Sequence, residues 1–194
     1  MKSQTNIITI NQMGRTELKL TKSGSYIVNL THPGAELRLL GLFQTEDDQQ
    51  VAVELVIHHL APSTQSEVIL KGVASDRSKL KLSGLIRIDA DCPQTVSHLT
   101  QRILLLSDQS RAEILPNLEI LTDDVICSHA ASISTLDTDQ LFYLMSRGLS
   151  RSQAQKVLVA GFLHSASQRA GHSRAGFIIL AQAGIQVQKE HGTH

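Results

Sequence analysis

Tryptophan is absent, and aromatic residues make up only 3% of the 194 residues. Apolar residues reach 41%, enough for a core, but that core must be aliphatic. Such a composition suits thin, repetitive layers packed with Val, Ile and Leu. Excess charge is missing too, with Lys+Arg and Asp+Glu at 18 each. The balance leaves no electrostatic footprint for nucleic acid or for an anionic membrane. The two cysteines, Cys92 and Cys127, are too few for a disulfide framework. No window approaches the roughly 18 apolar residues of a membrane span. The opening MKSQTNIITI has no long apolar segment and does not read as a signal peptide. A soluble, cytoplasmic protein is expected. The nucleotide motifs G-x-x-x-x-G-K-[ST] and G-x-G-x-x-G are absent, as is the G-x-S-x-G elbow. This chain is therefore expected to bind no nucleotide and to be no enzyme, and any ATP site belongs to a partner.

What is present is alternation. Ile8 with Ile10 and Leu18 with Leu20 alternate with polar neighbours between turn signals at Met13-Gly14 and Ser23-Gly24. Further candidates are Glu36 to Phe43, then Val51, Val53, Leu55 and Ile57, then Val68 with Leu70. Leu80 with Leu82, Ile86 with Ile88, His98 to Leu106, Leu118 with Ile120, and Val125 to His129 complete about ten short strands. Between residues 36 and 130 no helical period appears, and the hairpin dipeptides Asn-Gly and Asp-Gly are missing. The connectors QTEDDQQ, LAPSTQSE, ASDRS and DADCPQT are polar and variable. A parallel β-helix, in which each rung stacks on the last, fits these features. A jelly roll remains compatible with the pattern.

Two helices follow. Asp137 before Thr138-Asp139-Gln140 reads as an N-cap, and Gly148 suits the position just past the C-terminus. Ser150 with Gln153 caps a second helix. Its apolar positions Ala154, Val157, Leu158, Gly161 and Phe162 form one face. The resulting division is a β-core over 1–130 and a helical domain over 131–194. SASQRAGHSR reads as a loop, residues 176–190 as a third helix in preference to a strand, and HGTH as a frayed end.

Cys127 and His129 stand two apart, so on a strand both project from one face, within reach of one soft or borderline metal ion. Two ligands do not complete a site. Spacing alone favours the plainer arrangement, a buried Cys beside a hydrogen-bonded His. The adjacent pairs Asp123-Asp124 and His58-His59 point to opposite faces and chelate poorly, and both read as solvated turns. Phe142 and Tyr143, with Arg147 and Gly148 close by, make either a contact surface or a pair of rings packed on the β-core. The residues alone do not separate the two.

The pieces P-x-L-E-I, D-D-V-x-C-S-H and L-D-x-x-Q-L-F-Y-L-x-S-R-G, running from Pro116 to Gly148, resemble the C-terminal signature of the SufB/SufD family. HHLAPSTQSEVILKGV, SGLIRIDADCPQT and RILLLSDQSRAEILP match more loosely, so the resemblance covers about residues 50 to 163. The family consists of scaffold subunits of SUF iron–sulfur cluster assembly. It implies a right-handed parallel β-helix followed by a small helical domain. It also implies pairing through the β-helices, as homodimer or heterodimer, and docking of a SufC-like ABC ATPase by the C-terminal helices. Phe142, Tyr143, Arg147 and Gly148 become expected docking residues. Members are typically longer, so this chain reads as starting partway along the β-helix. By the same resemblance Ser110 occupies the place of a cluster-related Cys of the SufB branch. C-S-H is the SufD-type form, although Ala130 stands where that form usually has Gly. His129, with Cys127 less firmly, is then an expected ligand of a transient iron–sulfur cluster at a dimer interface. A metal-free adaptor for the ATPase is the alternative that Ser110 favours.

Overall fold

The computed structural model describes residues 5–168. The expected third helix and frayed end lie outside them. Ten strands precede two helices. They are β1 (Thr5–Ile10), β2 (Gly14–Leu20), β3 (Gly24–Leu30), β4 (Ala35–Thr45), β5 (Gln50–His59), β6 (Gln65–Ala74), β7 (Lys79–Ile88), β8 (Val96–Leu105), β9 (Arg111–Ile120) and β10 (Ile126–Thr135). The helices are α1 (Thr138–Ser146) and α2 (Arg151–Gln168). Odd strands form one sheet in the order β1-β3-β5-β7-β9, and even strands the other, β10-β8-β6-β4-β2. Every pairing is parallel, each strand beside the one two places away. The chain therefore winds as a two-sided solenoid, and the jelly roll is set aside. Thr5 lies beside Ser25, but Lys79 lies beside Arg111, so the rungs lengthen toward the C-terminal end.

The alternation read from the sequence becomes the core. Leu39, Leu55, Leu70, Leu82, Ile86 and Ile103 all point between the sheets and are buried. With so few aromatics, small residues set the spacing of the layers. At Gly72 an added Cβ would come within 2.2 Å of Leu80 Cδ2, so the close approach of the two sheets requires glycine there. The missing hairpin dipeptides also find their reason. The chain turns corners at single left-handed residues, Ser63, Gln94 and Asp124 along one edge and Asp47 and Asp76 along the other. These stack through bonds such as Ser63 N–H to the Pro93 carbonyl (2.9 Å) and Gln94 N–H to the Asp124 carbonyl (2.7 Å).

The reading of His58-His59 as a solvated turn is corrected. Both residues end β5. His58 faces outward, 2.9 Å from Asp89. His59 faces inward and is fully buried, bonded to the Thr64 and Ser66 hydroxyls at 2.7 and 3.1 Å. Burial, reinforced by His58, pushes the His59 pKa down to about 4, so the ring is neutral. Ser66 continues to Ser97 at 2.6 Å, extending a polar column inside an otherwise aliphatic core.

The helix caps fall where the sequence places them. The Asp137 carboxylate accepts from Asp139 and Gln140 N–H, and Gly148 leaves α1 at φ 93°. Ser150 and Gln153 close a reciprocal capping box at 2.9 and 3.3 Å. Helix α2 runs on through Gln168, into the segment expected to be a loop. It lies on the outer face of the even sheet. There Lys71 of β6 donates to the Phe162 carbonyl and sits 4.9 Å from the centre of its ring. Ala154 is buried and Leu158 and Phe162 half-buried, but Val157 and Gly161 remain exposed, so only part of the apolar face of α2 is covered.

Candidate functional site

The last rung, β9 and β10, closes the C-terminal end of the solenoid, and it holds both candidate ligands. On β8 the inward residues Ser97, Leu99 and Ile103 are buried, while His98 and Arg102 between them are exposed. On β10 the partners in register with those inward residues are Cys127, His129 and Ile133. Cys127 and His129 therefore share the inward face, and nothing lies beyond them within the described residues. Cys127 is half-buried against the core, and burial pushes its thiol up, so it carries its proton at neutral pH. His129 is exposed. Ser128 between them points outward, where its hydroxyl is 2.7 Å from His98 Nδ1. That bond ties this stretch of β10 to β8.

The surroundings are apolar. Leu118, Ile120, Leu121, Ile126 and Ile133 on the same rung are 39–63% exposed. The two edges differ. Arg111 and Leu121 donate back to Ser78 and Ile88, so the odd-numbered amides of β9 face β7 and the even-numbered positions face the open edge. Pro116 is one of these and has no N–H to offer, a feature that blunts strand addition. On β10, Ile126 donates to Thr95. The backbone groups of Cys127, His129, Ala131 and Ile133 therefore face the open edge, and β10 has neither proline nor a carboxylate or ammonium to guard it.

Soft thiolate and imidazole donors suit iron or zinc. Among the described residues no group of three or more His, Cys, Asp or Glu could hold a metal ion. Among the described residues the motif offers two donors, so a four-donor set needs donors from outside them. Ser110 does not join them. It is buried in the corner before β9, its hydroxyl donating to the Ser107 carbonyl at 2.6 Å. Ser78 makes the same bond to Ser75 one rung earlier. The whole length of β9 separates Ser110 from the corner leading to Cys127, roughly 30 Å at about 3.3 Å per residue. Cys92 is also buried in a corner, its thiol donating to the His59 carbonyl.

The helices form a second feature. Leu141 anchors α1, while Phe142 and Tyr143 are 73% and 56% exposed. Both rings are therefore largely exposed rather than buried against the solenoid. The Arg147 guanidinium lies 5.2 Å from the Tyr143 ring centre. Sequence reasoning missed the groove between α1, α2 and the rim of the even sheet, because it depends on how the helices dock. It also missed the column at His59, whose signal was the alternation of Ser and Thr with apolar residues near the corners. No helix among the described residues is long and apolar enough to cross a membrane.

Comparison with known proteins gives this geometry a family context. Residues 10–162 match the family model described as SUF system FeS cluster assembly, SufBD core domain. An iron–sulfur cluster assembly SufBD family protein of Mycobacterium leprae is 35% identical over 143 residues, covering 70% of this chain and 36% of that protein. One from Mycobacterium tuberculosis is 34% identical over 137 residues, 66% of this chain and 34% of its own length. The iron–sulfur cluster assembly protein SufB of Bacillus subtilis is 32% identical over 105 residues, 54% of this chain and 23% of that protein. The chain spans about a third of the length of these two mycobacterial relatives.

Proposed function

The chain belongs to the SufBD core-domain family of SUF iron–sulfur cluster assembly, and on that premise we propose that it is a non-catalytic scaffold subunit that pairs through its last rung. The observation that carries this reading is the uncovered inward face holding Cys127 and His129, ringed by exposed aliphatic side chains. A second SufB/SufD-like subunit, identical or not, adds along the unguarded edge of β10 and covers that face. In a symmetric pair two copies of the motif supply four donors. The cluster is cargo, assembled there and passed on. C-S-H is the SufD-type form of the segment, and His129 is its leading ligand.

The second surface is α1 and α2. Exposed Phe142 and Tyr143, with Arg147 and the Gly148 terminus, suit the docking of a SufC-like ABC ATPase. Nucleotide binding belongs to that partner, and the assembly works in the cytoplasm. A second reading, a metal-free adaptor for the same ATPase, is favoured by Ser110 serving a corner and by the protonated Cys127 thiol.

One experiment separates the two. The protein is purified anaerobically with its ATPase and supplied with iron and sulfide, and visible spectra are recorded for wild type and His129→Ala. The scaffold reading expects charge-transfer bands in wild type that His129→Ala loses. Absence of iron from both, with the ATPase still bound, leaves the adaptor.

A further inference from the structure

Inside the solenoid one polar side chain is unmet. Gln101 lies on the inward face of β8 and is fully buried. Among the described residues neither its Nε2 nor its Oε1 has a hydrogen-bond partner. The other polar side chains of that interior behave differently. His59, Thr64, Ser66, Thr95 and Ser97 are all bonded to one another or to corner carbonyls. A buried amide left unmet destabilises a fold, and a hydrocarbon side chain of the same shape does not.

Room for the amide is built in. Gly84 faces it from β7, where an added Cβ would come within 3.2 Å of Gln101 Nε2 and 2.6 Å of Leu99 Cδ2. Along the stack Leu70 lies on one side of Gln101 and Ala131 on the other. Ala131 belongs to the open rung and is exposed, so a single methyl group is the side chain that β10 sets over the amide. His129 shares that inward face, one strand over and two residues along from Gln101. Sheet spacings put their Cα atoms about 8 Å apart, a diagonal that long side chains bridge.

We propose that Gln101 is a positioning residue for the cargo, its Nε2 donating a hydrogen bond to a sulfide of the iron–sulfur cluster held at Cys127 and His129. The proposal rests on the scaffold reading above. Sulfide is an anionic acceptor, and the carboxamide offers two N–H donors without adding charge to the interior. A hydrogen bond to an ionised acceptor is stronger than a neutral one, and hydrogen bonds to the sulfurs set a cluster's reduction potential. Function, and not stability, then accounts for an amide at this position.

Gln101→Met tests this, because it keeps the length of the side chain and removes the amide. In the full chain without iron or sulfide the variant is expected to raise Tm by a few degrees. A fall in Tm shows that the amide serves the fold, through an ordered water, and overturns the proposal. The full chain is then purified anaerobically with its ATPase and any second subunit, and supplied with iron and sulfide. Loss of the charge-transfer bands to EDTA is expected to be at least about tenfold faster in Gln101→Met than in wild type. The reduction potential of the variant's cluster is expected to be lower. Equal rates and equal potentials overturn the proposal and leave the scaffold reading standing. If wild type shows no bands, the scaffold reading falls and takes this one with it. Pairing of subunits without iron or sulfide, read by light scattering, is expected to be the same in variant and wild type. Loss of pairing in Gln101→Met shows that a group of the second subunit meets the amide, and overturns the proposal.

Discussion

Two neighbouring rungs, β7 with β8 and β9 with β10, carry the same inward pattern and meet different fates. Ile86 and Ile88 on β7 are 0% exposed, but their register partners Leu118 and Ile120 on β9 are each 39% exposed. Ile103 on β8 is 0% exposed, and its partner Ile133 on β10 is 46%. The residue class and the facing are the same, and only the cover differs. An apolar face of this kind is the surface that the proposed pairing would cover. Cys127 and His129 occupy that face, where the preceding rung has Ser97 and Leu99.

The comparison can be broken or sharpened by substitution. Ile86→Ala should cost about 2–5 kcal/mol in urea unfolding, because the cavity opens in a closed layer. Acid should act on the inner rungs through His59. Its folded pKa, about 4, lies below the ordinary imidazole value of 6.5, so the unfolded chain binds the proton more readily. Stability is complete above pH 6.5 and falls as the pH drops toward 4, by on the order of 3 kcal/mol. His59→Gln should flatten that part of the urea-midpoint profile, and an unchanged slope would remove His59 as its cause. Gly72→Ala should cost about 1–3 kcal/mol by overpacking against Leu80. Ile133→Ala, the same kind of truncation on the open rung, should cost no more than about 1 kcal/mol in the isolated chain. A loss there as large as at Ile86 would mean that the last rung is as well packed as those beneath it.

Much of the architecture was legible because burial on both sheets imposes a period of two. Leu55, Leu70 and Leu82 were assigned to the strands they occupy. Leu80–Leu82 and Ile86–Ile88 read as two strands because Ser83-Gly84 interrupts the apolar run, although β7 passes straight through. Alternation does not single out β3, because apolar Ile27 on its outer face stands between inward Tyr26 and Val28. The caps at Asp137 and Ser150 were legible because capping is local chemistry. His59 was not, because its partners lie in the following corner and strand and a charged-type residue reads as exposed. At the candidate site, the shared face of Cys127 and His129 followed from spacing. Their place on an uncovered rung depends on where stacking stops, which no local pattern records.

The central claim is that the last rung is covered in the working assembly. It is tested most directly by the alkylation rate of Cys127 at alkaline pH, chosen because burial pushes its thiol up. The rate is measured by peptide mass spectrometry in the dilute chain and in the complex purified with its ATPase and any second subunit. Buried Cys92 in the same digest serves as the internal reference. The account predicts that Cys127 reacts in the dilute chain and is protected at least about tenfold in the complex, with Cys92 slow in both. Equal Cys127 rates in the two samples would contradict it.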